Sequence, residues 1–306
     1  MKRKLMSLLL IACMIITLPV QMVKADAVES DEKPYLSLGA DLSSEQKQKV
    51  LELLGVDSSR LDDYTVGQVT NEEEHKYLGS YLSNSVIGTK ALSSVLVTKT
   101  AKDSGITVDT HNITYCTATM YCNALTTAGI EDADVVVAGP FNITGTAALV
   151  GTIKAYSDMT GEEVSAESVD AATNELVLTG ELGDALAEDN GDDETAKEDA
   201  GKLMALVKQK VVEDNLSSTK DIKDAIDDSC KELNLKLSDE NKEKVAKLMG
   251  KISKLDLDTD TLKTQAKDLY NKLANLDIDK QGMWDKFCSF MSNLGHRIKT
   301  FFEGIF

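Results

Sequence analysis

The chain has 306 residues, a formal net charge of −18 and only 5% aromatic residues. That acidic balance repels nucleic acid and anionic lipid and favours cations, so nucleic-acid binding is set aside. The length suffices for one large domain or two ordinary ones.

Lys2, Arg3 and Lys4 precede an apolar run from Leu5 to Val20, and Val23-Lys24-Ala25 puts small residues where a signal peptidase reads. Residues 1–25 therefore read as a cleavable signal peptide, cut after Ala25. The expected address is secreted or cell-envelope associated, outside the cytoplasmic membrane. The run is shorter than the ~20 residues a bilayer span needs. Leu10-Ile11-Ala12-Cys13 has the look of a lipoprotein box, but Met14-Ile15-Ile16 carry the apolar run past the cysteine. Cys13 is thus read as an apolar filler. Cleavage removes four of the 33 basic residues and no acidic one, which leaves a net charge of −22.

Residues 26–37 are polar, carry Pro34, and read as a flexible mature N-terminus. Ser43-Ser44-Glu45-Gln46 is a capping box opening a helix whose apolar face is Val50, Leu53 and Leu54. Leu38–Gly55 aligns without gaps on Leu233–Gly250, with Leu237-Ser238, Lys244-Val245 and Gly250 among the matches. This predicts two related helical units bracketing a middle region. A short helix starts near Thr70. The β-branched run Leu92–Thr100 reads as a strand, and Ile106–Thr110 as a second. Thr114–Ala128 has helical spacing ended by Gly129, Val135–Ala138 is a buried strand ended by Gly139-Pro140, and Thr144–Tyr156 is another helix. Residues 162–186 read as helical with a break near Gly180. Residues 188–198 are acidic and read as a linker. Helical segments follow at 195–214, 219–233, 239–254, 260–275 and 283–305.

The fold class is therefore helix-rich α+β: a small α/β layer domain flanked by helical units, then a C-terminal helical domain. The expected division is 38–187 for the helix plus α/β domain, 199–281 for the helical domain, and 282–306 for an amphipathic C-terminal helix.

Asn112-Ile113-Thr114, Asn123–Ile130, Asp132–Val135, Gly139-Pro140-Phe141 and Gly145–Leu149 occur in order. Together they resemble the exported Gram-positive family catalogued as domain of unknown function 1002. The resemblance runs from about Leu38 to the carboxyl terminus. It implies export and carries over no catalytic or binding residue.

Motifs for chemistry are sparse. The three histidines, His75, His111 and His296, fall in separate elements, and no HExxH, CxxC or GxSxG occurs. No cofactor and no metal ligand set is expected. Four cysteines follow the leader, Cys116, Cys122, Cys230 and Cys288. Cys116 and Cys122 lie too far apart on a helix or strand to bridge each other, since a disulfide needs Cα atoms within about 7 Å. Any bond must therefore join one of them to Cys230 or Cys288; the other reading leaves all four free and mostly buried. Gly145-Thr146 offers helix-start N–H groups to an anion, against close packing of a small-residue helix on a strand. Asp256–Asp260 has the opening of a calcium loop but lacks its glycine and glutamate, so it reads as a turn with a helix cap. Glu72-Glu73-Glu74 reads as a solvated helix start rather than paired catalytic carboxylates.

The last segment stands apart. Trp284, Phe287, Cys288, Met291, Leu294, Ile298, Phe301, Phe302 and Ile305 form one stripe at spacing three and four. It suits docking on a membrane surface or a partner, or else closure of the protein's own core. The leading expectation is a non-enzymatic envelope binding or scaffold protein, whose partner is an envelope protein, a wall polymer or a membrane surface. The alternatives are a cell-wall polymer hydrolase and a membrane-surface protein attached by this helix.

Overall fold

The structure is a computed structural model that describes residues 33–102, 104–190, 193–257 and 259–274. Its elements run β1 (Tyr35–Gly39), α1 (Ser44–Leu53), a 3-10 turn (Leu61–Asp63), β2 (Thr65–Val69), α2 (Asn71–Leu78), α3 (Asn84–Ile87), β3 (Ser94–Lys99), β4 (Ile106–Ile113), α4 (Ala118–Thr127), β5 (Ala133–Ile143) and α5 (Thr146–Thr160). Helices α6 (Ala166–Asn190), α7 (Asp193–Glu213), α8 (Thr219–Glu232), α9 (Asp239–Ile252) and α10 (Thr259–Ala274) complete it. The helix-rich α+β class is what the sequence predicts.

The strands form one mixed sheet in the order β2-β1-β3-β5-β4. β1 pairs parallel to β2, β4 parallel to β5, and β3 antiparallel to both of its neighbours. Four strands thus point one way and β3 the other. Side-chain alternation sorts the two faces. Tyr35, Val95, Val97, Val135 and Val137 face a core shared with α4, α5 and α6. Leu36, Leu38, Leu96, Val136 and Ala138 face α1, which supplies Val50, Leu51 and Leu54. The sheet is therefore covered on both faces. That is why Val135–Ala138 is apolar throughout, and β5 has a partner on either side. A third core lies among α6, α7, α8 and α9, built on Leu182, Leu203, Met204, Ile226, Val245 and Met249. Each of these large apolar side chains contributes about 1.5–3 kcal/mol by leaving water.

Several expectations need correction. The N-terminal residues 35–37 are not flexible. They belong to β1, which is buried at every position and sits inside the sheet. Alternation of Tyr35 and Ser37 with Leu36 and Leu38 is the signal, compressed into too few residues to stand out. Residues 188–198 are not a linker. α6 continues to Asn190, and α7 begins at Asp193 and packs back along it. The acidic composition hid an apolar spacing that already starts at Ala196 and Ala200, both buried against α6. The described residues accordingly fall in one compact unit.

Gly180 does not break α6. A Cβ there would lie 2.7 Å from the Tyr115 hydroxyl, so the glycine permits a close approach. β5 runs through Gly139-Pro140 to Ile143. Pro140 falls in the register irregularity between His111 and Ile113, where no ladder bond needs its missing N–H. β2 has no counterpart in the sequence reading.

The recurring segment gives two similar helices in unlike settings. Ser43 caps α1 and Ser238 caps α9, each accepting from a backbone N–H three residues on. Leu38 and Gly39 lie in β1, whereas Leu233 caps the end of α8. α1 covers a sheet face, and α9 packs among helices.

Candidate functional site

Two buried polar clusters mark the places where this fold concentrates charge. The first lies where the four co-directed strands end, the rim at which open α/β sheets ordinarily bind ligands. β2 leads there into α2 through a capping box of Thr70 and Glu73. β5 leads into α5 through Gly145, whose φ of 97° is left-handed. Tyr121, fully buried on α4, donates its hydroxyl to the Gly145 carbonyl at 2.5 Å.

Glu74 points into the start of α5. Its Oε1 accepts the Thr146 hydroxyl at 2.8 Å, and its Oε2 accepts Asn71 Nδ2 at 3.2 Å. The side chain is buried, and that burial pushes its carboxyl above the usual carboxylate range despite the two donors. The Glu74 carboxyl therefore meets the start of α5 through the Thr146 side chain. Around it, Ser93 Oγ accepts the Ala148 N–H at 3.0 Å and Asp41 Oδ2 accepts the Ala91 N–H at 2.8 Å. His75 Nε2 lies 3.1 Å from the Gly88 carbonyl.

The triplet Glu72-Glu73-Glu74 therefore divides. Glu72 is exposed and Glu74 is buried. Glu73 pairs with Lys154 at 2.5 Å. Partial burial raises the Glu73 carboxyl, but the bonds from Lys154 and the Thr70 N–H outweigh that and leave it below its ordinary value.

The second cluster joins α4 of the sheet layer to the α6–α7 hairpin. Lys208 on α7 and Glu175 on α6 are both fully buried, with Nζ 2.9 Å from Oε1. Thr127 on α4 donates its hydroxyl to Glu175 Oε2. Lys208 Nζ also donates to the Asn123 carbonyl at 2.8 Å and lies 3.5 Å from Asn123 Oδ1. Asn123 in turn donates from Nδ2 to the Gly201 carbonyl at 3.1 Å. Burial lifts the Glu175 carboxyl and depresses the Lys208 ammonium, so each is driven toward its neutral form. Sequence reasoning missed this cluster. A signal exists: Lys208 interrupts the stripe Met204, Val207, Val211 and Val212, and Glu175 interrupts Ala171, Ala172, Leu178 and Leu182. A charge inside an apolar helix face implies a buried partner.

The remaining expectations fall as follows. Cys116, Cys122 and Cys230 are free. Burial pushes the Cys116 and Cys122 thiols up to about 12 and raises Cys230 as well, so all three are held protonated. His111 Nε2 lies 3.5 Å from Asp109 Oδ2 on β4. Among the described residues no group of acidic, histidine and cysteine side chains could hold a metal ion, and no helix is long and apolar enough to cross a membrane. Trp284, Phe287, Cys288, Met291, Leu294, His296, Ile298, Phe301, Phe302 and Ile305, and the leader 1–25, lie outside the described residues.

Fold and clusters define a helix-rich α+β protein with a doubly covered mixed sheet. The chain belongs to the family described as "Protein of unknown function (DUF1002)", whose model matches residues 38–269. The matched stretch contains both clusters. The chain is also 38% identical over 307 residues to the uncharacterized protein YpuA of Bacillus subtilis (strain 168), covering 99% of this chain and 100% of that one. No solved structure matches it.

Proposed function

We propose that this chain is an exported, non-enzymatic binding or scaffold protein of the cell envelope. The observation that carries the reading is where its buried charged groups sit. Glu74, Glu175 and Lys208 are each closed in by partners from other elements and brace layers against one another. A buried charge is costly and persists where it is paired. Here the pairing makes a stiff acidic body. The leader at residues 1–25 supports the address, and the net charge of −22 after its removal supports a soluble body.

Fractionation of producing cells tests the address, with the protein expected outside the cytoplasmic membrane and beginning at Asp26; retention in the cytoplasm would sink it. Incubating the purified protein with peptidoglycan and following released fragments by mass spectrometry tests the non-enzymatic claim. Fragments at any pH would replace it with the hydrolase reading.

A second reading has one specific observation behind it. The stripe from Trp284 to Ile305 holds the chain's single tryptophan and suits interfacial binding. Deleting residues 282–306 should release the protein from the cell surface if that stripe attaches it; unchanged fractionation removes this reading.

A further inference from the structure

We propose that Lys208 and Asn123 become joined by an isopeptide bond inside the folded protein, with Glu175 as the catalytic acid that moves the proton. Three requirements of such a bond meet at one place. The amine must be next to the amide, and Lys208 Nζ lies 3.5 Å from Asn123 Oδ1, held there by the Asn123 main-chain carbonyl at 2.8 Å. A carboxyl must reach the amine, and Glu175 Oε1 does so at 2.9 Å, oriented by the Thr127 hydroxyl on its other oxygen. Water must be kept away from the acyl carbon, and Asn123, Glu175 and Lys208 are all fully buried.

Protonation follows from the same burial. An ammonium is not a nucleophile and a carboxylate is not an acid, but the low-dielectric site favours passing the proton from Nζ to Glu175. The neutral Nζ attacks Asn123 Cγ. The Nζ–Cγ bond forms, and the Cγ–Nδ2 bond breaks. The proton of Glu175 goes to the departing Nδ2, and one proton of Nζ returns to Glu175. Ammonia leaves, and no oxidant or other reactant is required. Holding both groups in one geometry supplies the large effective concentration that an unactivated amide needs.

The bond would close a loop between residues 85 apart in sequence, clamping α7 to α4. It would do for this chain what a disulfide does elsewhere, while the described cysteines stay free.

The test is the intact mass of the purified folded protein, followed by tryptic mapping. The expected mass is lower than the sequence by one ammonia, about 17 Da, with a branched peptide joining the Asn123 and Lys208 segments. Lys208→Met and Glu175→Gln should each restore the full mass and the two linear peptides. A folded wild-type protein at its full sequence mass, with both segments recovered as linear peptides, overturns the proposal. So does loss of a water instead, which would put the bond on Glu175. If either variant fails to fold, the mass and peptide map of the wild-type protein still decide. The result is independent of cell address or partner, so this inference and the scaffold reading fail separately.

Discussion

Glu74 and Glu175 are both buried carboxyls whose proton affinity is raised by burial, yet their surroundings differ. Glu74 sits at a helix start among neutral donors, Thr146 and Asn71. Glu175 sits between helices and faces an equally buried amine. In the first case the donors are neutral, so a change in the carboxyl's charge leaves no second buried charge unpaired. In the second, one partner's charge depends on the other's, so neither can be altered alone. The rim cluster therefore tolerates change, and the junction cluster does not.

The largest expected effect follows from that coupling. Glu175→Leu leaves Lys208 buried without its carboxyl, and without the link to Asn123, and should cost at least about 3–5 kcal/mol, read by urea unfolding. A loss under about 1 kcal/mol would mean that water or another group reaches Lys208 Nζ, and the two clusters would no longer differ in kind. Thr146→Val should cost less, about 1–3 kcal/mol by the same measurement, because it removes one donor to a buried carboxyl. An equal cost at the two sites would erase the distinction.

The smallest effect is one of slope. Glu74 holds its proton to higher pH when folded than when unfolded, so its contribution to stability is fully present below the unfolded value and is lost as pH rises through the folded one. Glu74→Gln keeps the shape without the titration. Unfolding curves of the variant and the wild-type protein should converge in acid, and the variant should gain relative to wild type from the ordinary glutamate range upward. A wild-type protein that gains stability relative to the variant over that range would reverse the assignment.

Much of the fold was legible where one short-range rule decides. Ser43 with Gln46 and Ser238 with Asn241 mark helix starts by local hydrogen bonding. Val135–Ala138 reads as interior because both faces are apolar. β2 was not legible, because only Val69 is buried along it and Gly67 lies beneath the Tyr35 ring, a constraint set from β1. The acidic stretch at 188–198 misled because composition averages over residues while packing selects Ala196 and Ala200. The candidate clusters were the least legible part. Glu175 and Lys208 each interrupt an apolar stripe, which signals burial but names no partner, and only the crossing of α4, α6 and α7 brings them to Asn123.

The position of β1 has a practical consequence for the front end of the molecule. Its first residue, Tyr35, already belongs to an interior strand bonded on both edges. From the expected cut after Ala25, residues 26–34 are all the chain that separates the new terminus from the sheet. Fully extended they reach about 30 Å. A tag, a lipid or an uncut leader attached there would hold the acidic body on that short leash. Trimming past Pro34 would pull a plank from the middle of the sheet.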